Sequence, residues 1–348
     1  MKKIKIFSLV MSIALLFSAT VSAATFSDIP ASIAQADAQA IEKAVANGLL
    51  SGYEDGTFRP YNNIKRSEMA VIITKACKVV KEANISSYND VAETDWFYSA
   101  MAKAVEMGAF VGDGFNLNPN NNITFQECFT VLSQVFDLLP SYTIPAKMPE
   151  QITADQHVLG RRLYDISVLN NFADKNEVAT WARPYVAGVV INNGWSGVDG
   201  KLTPTAYITR LQFAVVMNNL IQNYIDAPGT YDSLPAGNTM IRCDGVILNN
   251  VNTDYDLYIG DSVSAKGVTV NNMTSSKRVV VRGCATPVIK EPEGYVTYGD
   301  TGITLSGNFN FIRVIRPFIK IDVTQTKYNS IYVSAASIPV VPVVIKNN

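Results

Sequence analysis

The chain has 348 residues, 29 of them basic and 30 acidic, for a formal net charge of −1. That balance leaves no basic excess for holding nucleic-acid phosphates, and 48% hydrophobic against 17% charged residues is the composition of packed cores, not of disorder. The length points to two or three domains, one histidine (His157) excludes chemistry that needs a histidine pair, and four scattered cysteines (Cys77, Cys128, Cys243, Cys284) do not make a disulfide scaffold.

The first segment has the pattern of a secretory leader. Lys2, Lys3 and Lys5 precede a mostly apolar run from Ile6 to Phe17, and Val21-Ser22-Ala23 offers small residues for cleavage after Ala23. The run of about 12 residues is short of the ~20 needed to cross a bilayer. No later segment reaches that length, so the expectation is an exported chain without a transmembrane segment once residues 1–23 are removed.

Three copies of one unit follow. Each opens on an aromatic, a spacer and an aspartate: Phe26-Ser27-Asp28, Tyr88-Asn89-Asp90 and Phe172-Ala173-Asp174. An apolar stripe at helical spacing then runs to Gly48, Gly108 or Gly194, a residue type suited to a helix stop. A glycine-rich loop and a proline (Pro60, Pro119, Pro204) come next. Second helices begin at Lys65-Arg66-Ser67-Glu68, Thr124-Phe125-Gln126-Glu127 and Thr209-Arg210-Leu211-Gln212. Each carries one apolar face, and short helix pairs of this kind need neighbours to bury it.

The repeat resembles the S-layer homology domain, which usually occurs as a triplet. The residues that carry the likeness are the aromatic-x-Asp openings, Trp96 and Trp181, the loop Gly52 to Phe58 of the first unit, and the Thr-Arg-Ala-Glu-like starts of the second helices. It covers about residues 26–226. The resemblance implies a three-lobed helical module that holds exported proteins to a secondary cell-wall polysaccharide, often one carrying pyruvate ketals.

For such a ligand the candidate binding residues are Arg66, Asp90, Trp96, Arg210, Asp174, Trp181 and Asp28. Arginine forks a carboxylate, aspartate accepts from hydroxyls, and tryptophan offers a flat face to a sugar ring. Each has a structural alternative. Glu68 and Glu127 fit capping boxes, the aspartates fit turn caps, and the tryptophans fit a core. No unit carries the full set: the first lacks a tryptophan, the second has Phe125 in place of arginine, and the third has Gln212 in place of glutamate. If the arginine of one unit faces the Asp and Trp of the next, Arg66 with Asp90 and Trp96 is the complete groove. Phe125 with Asp174 and Trp181 then lacks a cation, and Arg210 with Asp28 lacks its tryptophan. The glycine loops lack the alternating oxygens and terminal glutamate of a calcium loop, so neither metal nor cofactor is expected.

The boundaries read as 24–84, 85–140 and 172–226 for the three units. Residues 141–171 form a linker with an extra helix from Ala154 to Asn170, and His157 sits at its start on the surface. A second linker covers 227–238. From 239 to 348, Val, Ile, Thr, Asn and Gly favour strands. Gly245 to Val251 recurs 22 residues later as Gly267 to Met273, a step that fits one coil of a short parallel β-helix; a β-sandwich is the alternative. Strands are expected around Ile303, Ile319 and Ile331, with an insertion from Pro292 to Gly299 and an edge or cap at Pro342. Cys243 and Cys284 either pair or stay thiols. Cys128 should be packed and Cys77 half-buried.

The sequence reading is thus a multidomain α + β protein. It has no enzymatic activity and is anchored non-covalently at the wall, and its β-rich half is a structural or interaction module with surface-protein partners. Two alternatives stand beside it: a wall-displayed carbohydrate-active enzyme, and a degenerate module that makes protein contacts.

Overall fold

A computed structural model describes residues 26–264 except 148 and 150, together with 267–283, 287–290, 295–298, 302–316, 320–333 and 344–346. The leader, Cys284 and Pro342 lie outside these residues. Among the described residues six α-helices form where the apolar stripes place them: α1 (Gln35–Ala46), α2 (Arg66–Cys77), α3 (Tyr98–Glu106), α4 (Phe125–Val135), α5 (Arg183–Ile191) and α6 (Arg210–Leu220). Among the described residues, no helix is long and apolar enough to cross a membrane.

The helices pair across units. α2 packs on α3, α4 on α5, and α6 returns to pack on α1. Three backbone hydrogen bonds close a ring at the centre. Ile64 N–H donates to Ile208 O (2.9 Å), Ile208 N–H to Ile123 O (3.1 Å), and Ile123 N–H to Ile64 O (3.0 Å). All three isoleucines are fully buried.

The same relation sets the start of each second helix, whose first amides have no partner inside the helix. Arg66 and Ser67 N–H reach Asn121 and Pro119 O, Phe125 and Gln126 N–H reach Ala206 and Pro204 O, and Arg210 and Leu211 N–H reach Asn62 and Pro60 O. Each unit therefore seats its second helix on the proline turn of another unit. Gly48 and Gly108 stop their helices at positive φ (68° and 73°), but in the third unit Asn193 (φ 57°) takes that place and Gly194 does not. Gly194 serves packing instead, since a Cβ there would lie 2.8 Å from Leu220 and Val189 atoms.

Three expectations are corrected between the second and third units and in α2. The stretch expected as a helix from Ala154 to Asn170 is a hairpin of β2 (Gln156–Leu159) and β3 (Arg162–Asp165), joined to β1 (Tyr142–Thr143) and followed by a 3-10 turn at Ser167–Asn171. Gly160 at φ 61° reverses the chain before a second helical turn can form. His157 is consequently buried in the hairpin and not on the surface, and Cys77 is fully buried and not half-buried.

The sheet also starts earlier than the boundary at 239. Its strands are β4 (Asn223–Ile225), β5 (Gly229–Tyr231), β6 (Thr239–Ile241), β7 (Val246–Asn249), β8 (Asn252–Thr253), β9 (Leu257–Ile259), β10 (Val268–Val281), β13 (Ile303–Val314), β14 (Lys320–Val333) and β15 (Val344–Lys346), while β11 (Pro287–Lys290) and β12 (Tyr295–Tyr298) form a separate antiparallel pair. Every pairing in the large sheet is parallel. The sequence repeat is its register: Val268 pairs Val246, Val279 pairs Leu257, and Asn271 and Asn272 donate to Asn249 and Asn250. Asn250 and Asn272 take φ of 53° and 51° at successive corners, where asparagine tolerates the left-handed turn.

Helices and sheet share one core, because Met240, Tyr258, Val280 and Ile315 of the sheet region pack into the helical cluster. Five arginines line the junction. Arg242 pairs with Asp226 and reaches Asn47 O and Lys75 O. Arg278 pairs with Asp256 and reaches Asp137 O and Asn192 Oδ1, and Arg282 pairs with Asp261 and reaches Val135 O. Arg313 holds Asp137, and Arg316 holds Glu106 through both backbone and side chain. These carbonyls and side chains close the C-terminal ends of α1 to α5. Orphan carbonyls and the negative end of the helix dipole are concentrated there.

Candidate functional site

The three unit junctions place Arg210, Arg66 and Phe125 at equivalent positions. In each unit the opening aspartate receives two consecutive backbone amides across its own loop. Asp28 accepts from Phe58 and Arg59, Asp90 from Leu117 and Asn118, and Asp174 from Leu202 and Thr203, all at 2.6–2.9 Å. These carboxylates are turn staples, and Asp174 is buried. The capping alternative is also what Glu68, Glu127 and Gln212 do at the starts of α2, α4 and α6.

At two of the three junctions the carbonyl behind the staple then accepts from an arginine. Arg210 donates from Nε to Phe58 O and from Nη2 to Ser51 O, both at 2.9 Å. Its guanidinium lies 5.0 Å from the Tyr53 ring and 4.9 Å from the Phe58 ring, and 3.6 Å from Glu68 Oε1. Tyr53 donates its hydroxyl to the same Glu68 oxygen at 3.3 Å. Burial raises the Tyr53 pKa, Glu68 adds to the rise, and Arg210 opposes it. A cleft of about 200 Å³ opens over this cluster, with Ser51, Gly52 and Lys75 on its walls and Trp96 at its edge. Trp96 is 69% exposed, far from a core position.

The second junction holds Arg66, half-buried. Its Nε donates to Leu117 O at 3.0 Å and its guanidinium stacks 4.7 Å from the Phe110 ring. Burial lowers its pKa, and the nearby Glu127 and Asp90 oppose this. The loop position that Tyr53 fills in the first unit is Asp113 here, and its carboxylate turns back to the amides of Phe115 and Asn116. At the third junction Phe125 replaces the arginine. It is 2% exposed and stacks on Trp195 at 5.1 Å and on Phe129 at 5.7 Å, so an aromatic core fills the place of a cation.

The grouping of candidates differs from the one expected. Arg66 does share a loop with Asp90, and Arg210 one with Asp28. Trp96, however, lines the Arg210 cleft and is not the partner of Arg66. The expectation treated units as consecutive pairs, whereas the first-unit loop, α2, the second-unit tryptophan and α6 converge at one junction. Tyr53 is the residue that the sequence reading passed over, and Glu68, read there as a capping residue, also lines the cleft. The Gly-Tyr-Glu-Asp-Gly loop carried a signal for Tyr53, since its counterparts Asp113 and Val198 are not aromatic. Trp181 is 51% exposed.

The sequence profile of the S-layer homology domain matches residues 25–70 and 87–127. Two segments of the chain are thus similar to the S-layer homology domain. It is 31% identical over 201 residues to the surface-layer 125 kDa protein of Lysinibacillus sphaericus, covering 56% of this chain and 15% of that protein. It is 26% identical over 202 residues to exoglucanase XynX of Acetivibrio thermocellus, covering 57% and 16%. Cell surface glycoprotein 1 of the same species is 31% identical over 179 residues, covering 50% and 7%. The chain thus spans under a fifth of the length of these curated relatives. The S-layer homology domains and the surface-layer relatives place the chain at the cell wall or cell surface.

Proposed function

We propose that this S-layer homology protein attaches non-covalently to a secondary cell-wall polysaccharide, and that the Arg210 cleft is its principal site. The observation that carries the reading is the convergence of Arg210, Glu68, Tyr53 and Trp96 in one opening. A nearly buried guanidinium held by two carbonyls, with Glu68 3.6 Å from Nη1, is a fixed fork for a carboxylate such as that of a pyruvate ketal. Glu68 and Tyr53 address hydroxyls, and the exposed Trp96 face meets a sugar ring. The three units form a triplet in this reading, which is supported by the equivalent ring bonds and aspartate staples of the third unit. The Arg66 junction is a weaker second site, and the Phe125 junction binds nothing.

The β-rich half reads as a short parallel β-helix serving as a structural base and not as a catalytic module. Its 22-residue register supports that reading. So does the engagement of Asp256 and Asp261 in ion pairs with Arg278 and Arg282, which leaves them unavailable as a general acid and base. Co-sedimentation with purified sacculi, before and after stripping of the secondary polymer, tests the anchor. Arg210→Ala and Trp96→Ala should each abolish polymer-dependent pelleting, and Arg66→Ala should reduce it only in part. Pelleting that survives Arg210→Ala but not Arg66→Ala would move the principal site to the second junction.

A further inference from the structure

A larger, separate cleft lies between the sheet and the hairpin β2–β3. It encloses about 780 Å³, inside the range of about 300–1,000 Å³ typical of ligand pockets. It shares no lining residue with the Arg210 cleft. Its floor is rigid, because Arg278 pairs there with Asp256 and Arg313 with Asp137. Two further cations on the walls have no carboxylate partner among the described residues. Arg162 lies 4.8 Å from the Tyr142 ring and 5.4 Å from the Tyr332 ring and donates to the Tyr332 hydroxyl. Lys277 stands exposed on the sheet wall. Between the charges, Tyr255 and Phe311 each present a ring that is 43% exposed.

The open rings and the two cations suit one ligand class, and Asp254, an exposed carboxylate on the same wall, accepts from the Ser276 hydroxyl. Open aromatic faces accept the apolar faces of sugar rings, and unpaired cations accept carboxylates. An extended peptide is a poorer fit. Strand addition needs free backbone donors and acceptors at a sheet edge; here the large-sheet wall consists of side chains on strands already paired on both sides, as Phe311 is between Arg278 and Ser330, and the facing wall offers only the two-residue edge strand β1. We propose that this cleft is a second saccharide site, one that takes an acidic oligosaccharide across Phe311 with its carboxylates at Lys277 and Arg162.

The test is saturation-transfer NMR on the full chain with tetragalacturonate, its fully methyl-esterified form, and tetraglutamate. The acid should receive saturation, and the ester and the peptide should bind about tenfold more weakly or not at all. Lys277→Gln and Phe311→Ala change exposed side chains, so the fold should hold by thermal melting, and each should weaken tetragalacturonate about tenfold. Arg210→Ala should leave that binding unchanged while removing sacculus attachment. The proposal is overturned by no transfer to tetragalacturonate, by equal binding of ester or peptide, or by loss of binding in Arg210→Ala with Lys277→Gln unaffected.

Discussion

Asp174 shows how much a single carboxylate holds. It is buried and accepts the amides of Leu202 and Thr203 at 2.9 and 2.7 Å. Charge-assisted bonds of this kind contribute about 1.5–3 kcal/mol each, and an amide left unpaired adds its own desolvation cost. Asp174→Ala should therefore lose about 3 kcal/mol in urea unfolding, whereas Asp28→Ala, at a half-exposed site, should lose less. The cysteines divide by burial. Burial pushes the Cys77 thiol up to about 12 and Cys128 well above its usual value. Iodoacetamide at pH 8 should thus label the partly exposed Cys243 and spare Cys77 and Cys128 until the chain unfolds, as read by peptide mass spectrometry. His157 gives a pH signature. Burial and the nearby Arg183 hold its pKa below the usual 6.5, so the folded state favours the neutral ring. Its contribution is intact above the unfolded pKa and is lost as the pH falls below it, because the unfolded chain then binds the extra proton. His157→Gln should flatten the fall in melting temperature as the pH drops below about 6.5.

The helical repeat was legible because its signals are local. Apolar spacing, capping residues and stop glycines specify a helix without reference to the rest of the chain, and all six helices formed where those signals lie. The hairpin at 156–165 was not legible, because Val158, Leu159, Leu163, Ile166 and Leu169 fit a helical stripe, whereas the strands bury His157 and Tyr164 on either side of the turn at Gly160. In the sheet the 22-residue repeat was readable as a register, and its constraint is sharpest at Gly267. A Cβ there would sit 1.3 Å from Gly302 O, while a Cβ at Gly160 would meet nothing within 4 Å. Both glycines have positive φ, so each alanine substitution carries strain of about 1 kcal/mol. Gly267→Ala must also push two backbones apart. It should abolish cooperative unfolding of the sheet by near-UV circular dichroism, and Gly160→Ala should leave it intact.

The site was half legible. Arg210, Trp96 and the aspartates stood out by residue type, but their grouping depends on which units touch, and that is set by the ring through Ile64, Ile123 and Ile208. Nor did the sequence announce that the sheet arginines cap the helices, since contacts such as Arg282 with Val135 O join segments far apart in the chain. The capping makes the two halves interdependent. Arg282 and Asp261 are 1% and 5% exposed, and removing one partner of a buried pair costs about 3–5 kcal/mol. Arg282→Ala should therefore lower the melting temperature of helices and sheet together, in one calorimetric transition; two separated transitions would show that the halves fold independently. The return of α6 onto α1 has a consequence for export. A chain threaded across a membrane from its N-terminus presents residues 35–46 first and residues 210–220 much later, so its leading helix waits without its packing partner until most of the chain has crossed. The α2–α3 and α4–α5 pairs can form in turn as they emerge, but closure through α6 onto α1 is a terminal event, and the leading segment is the one most in need of a holding chaperone on the outer side.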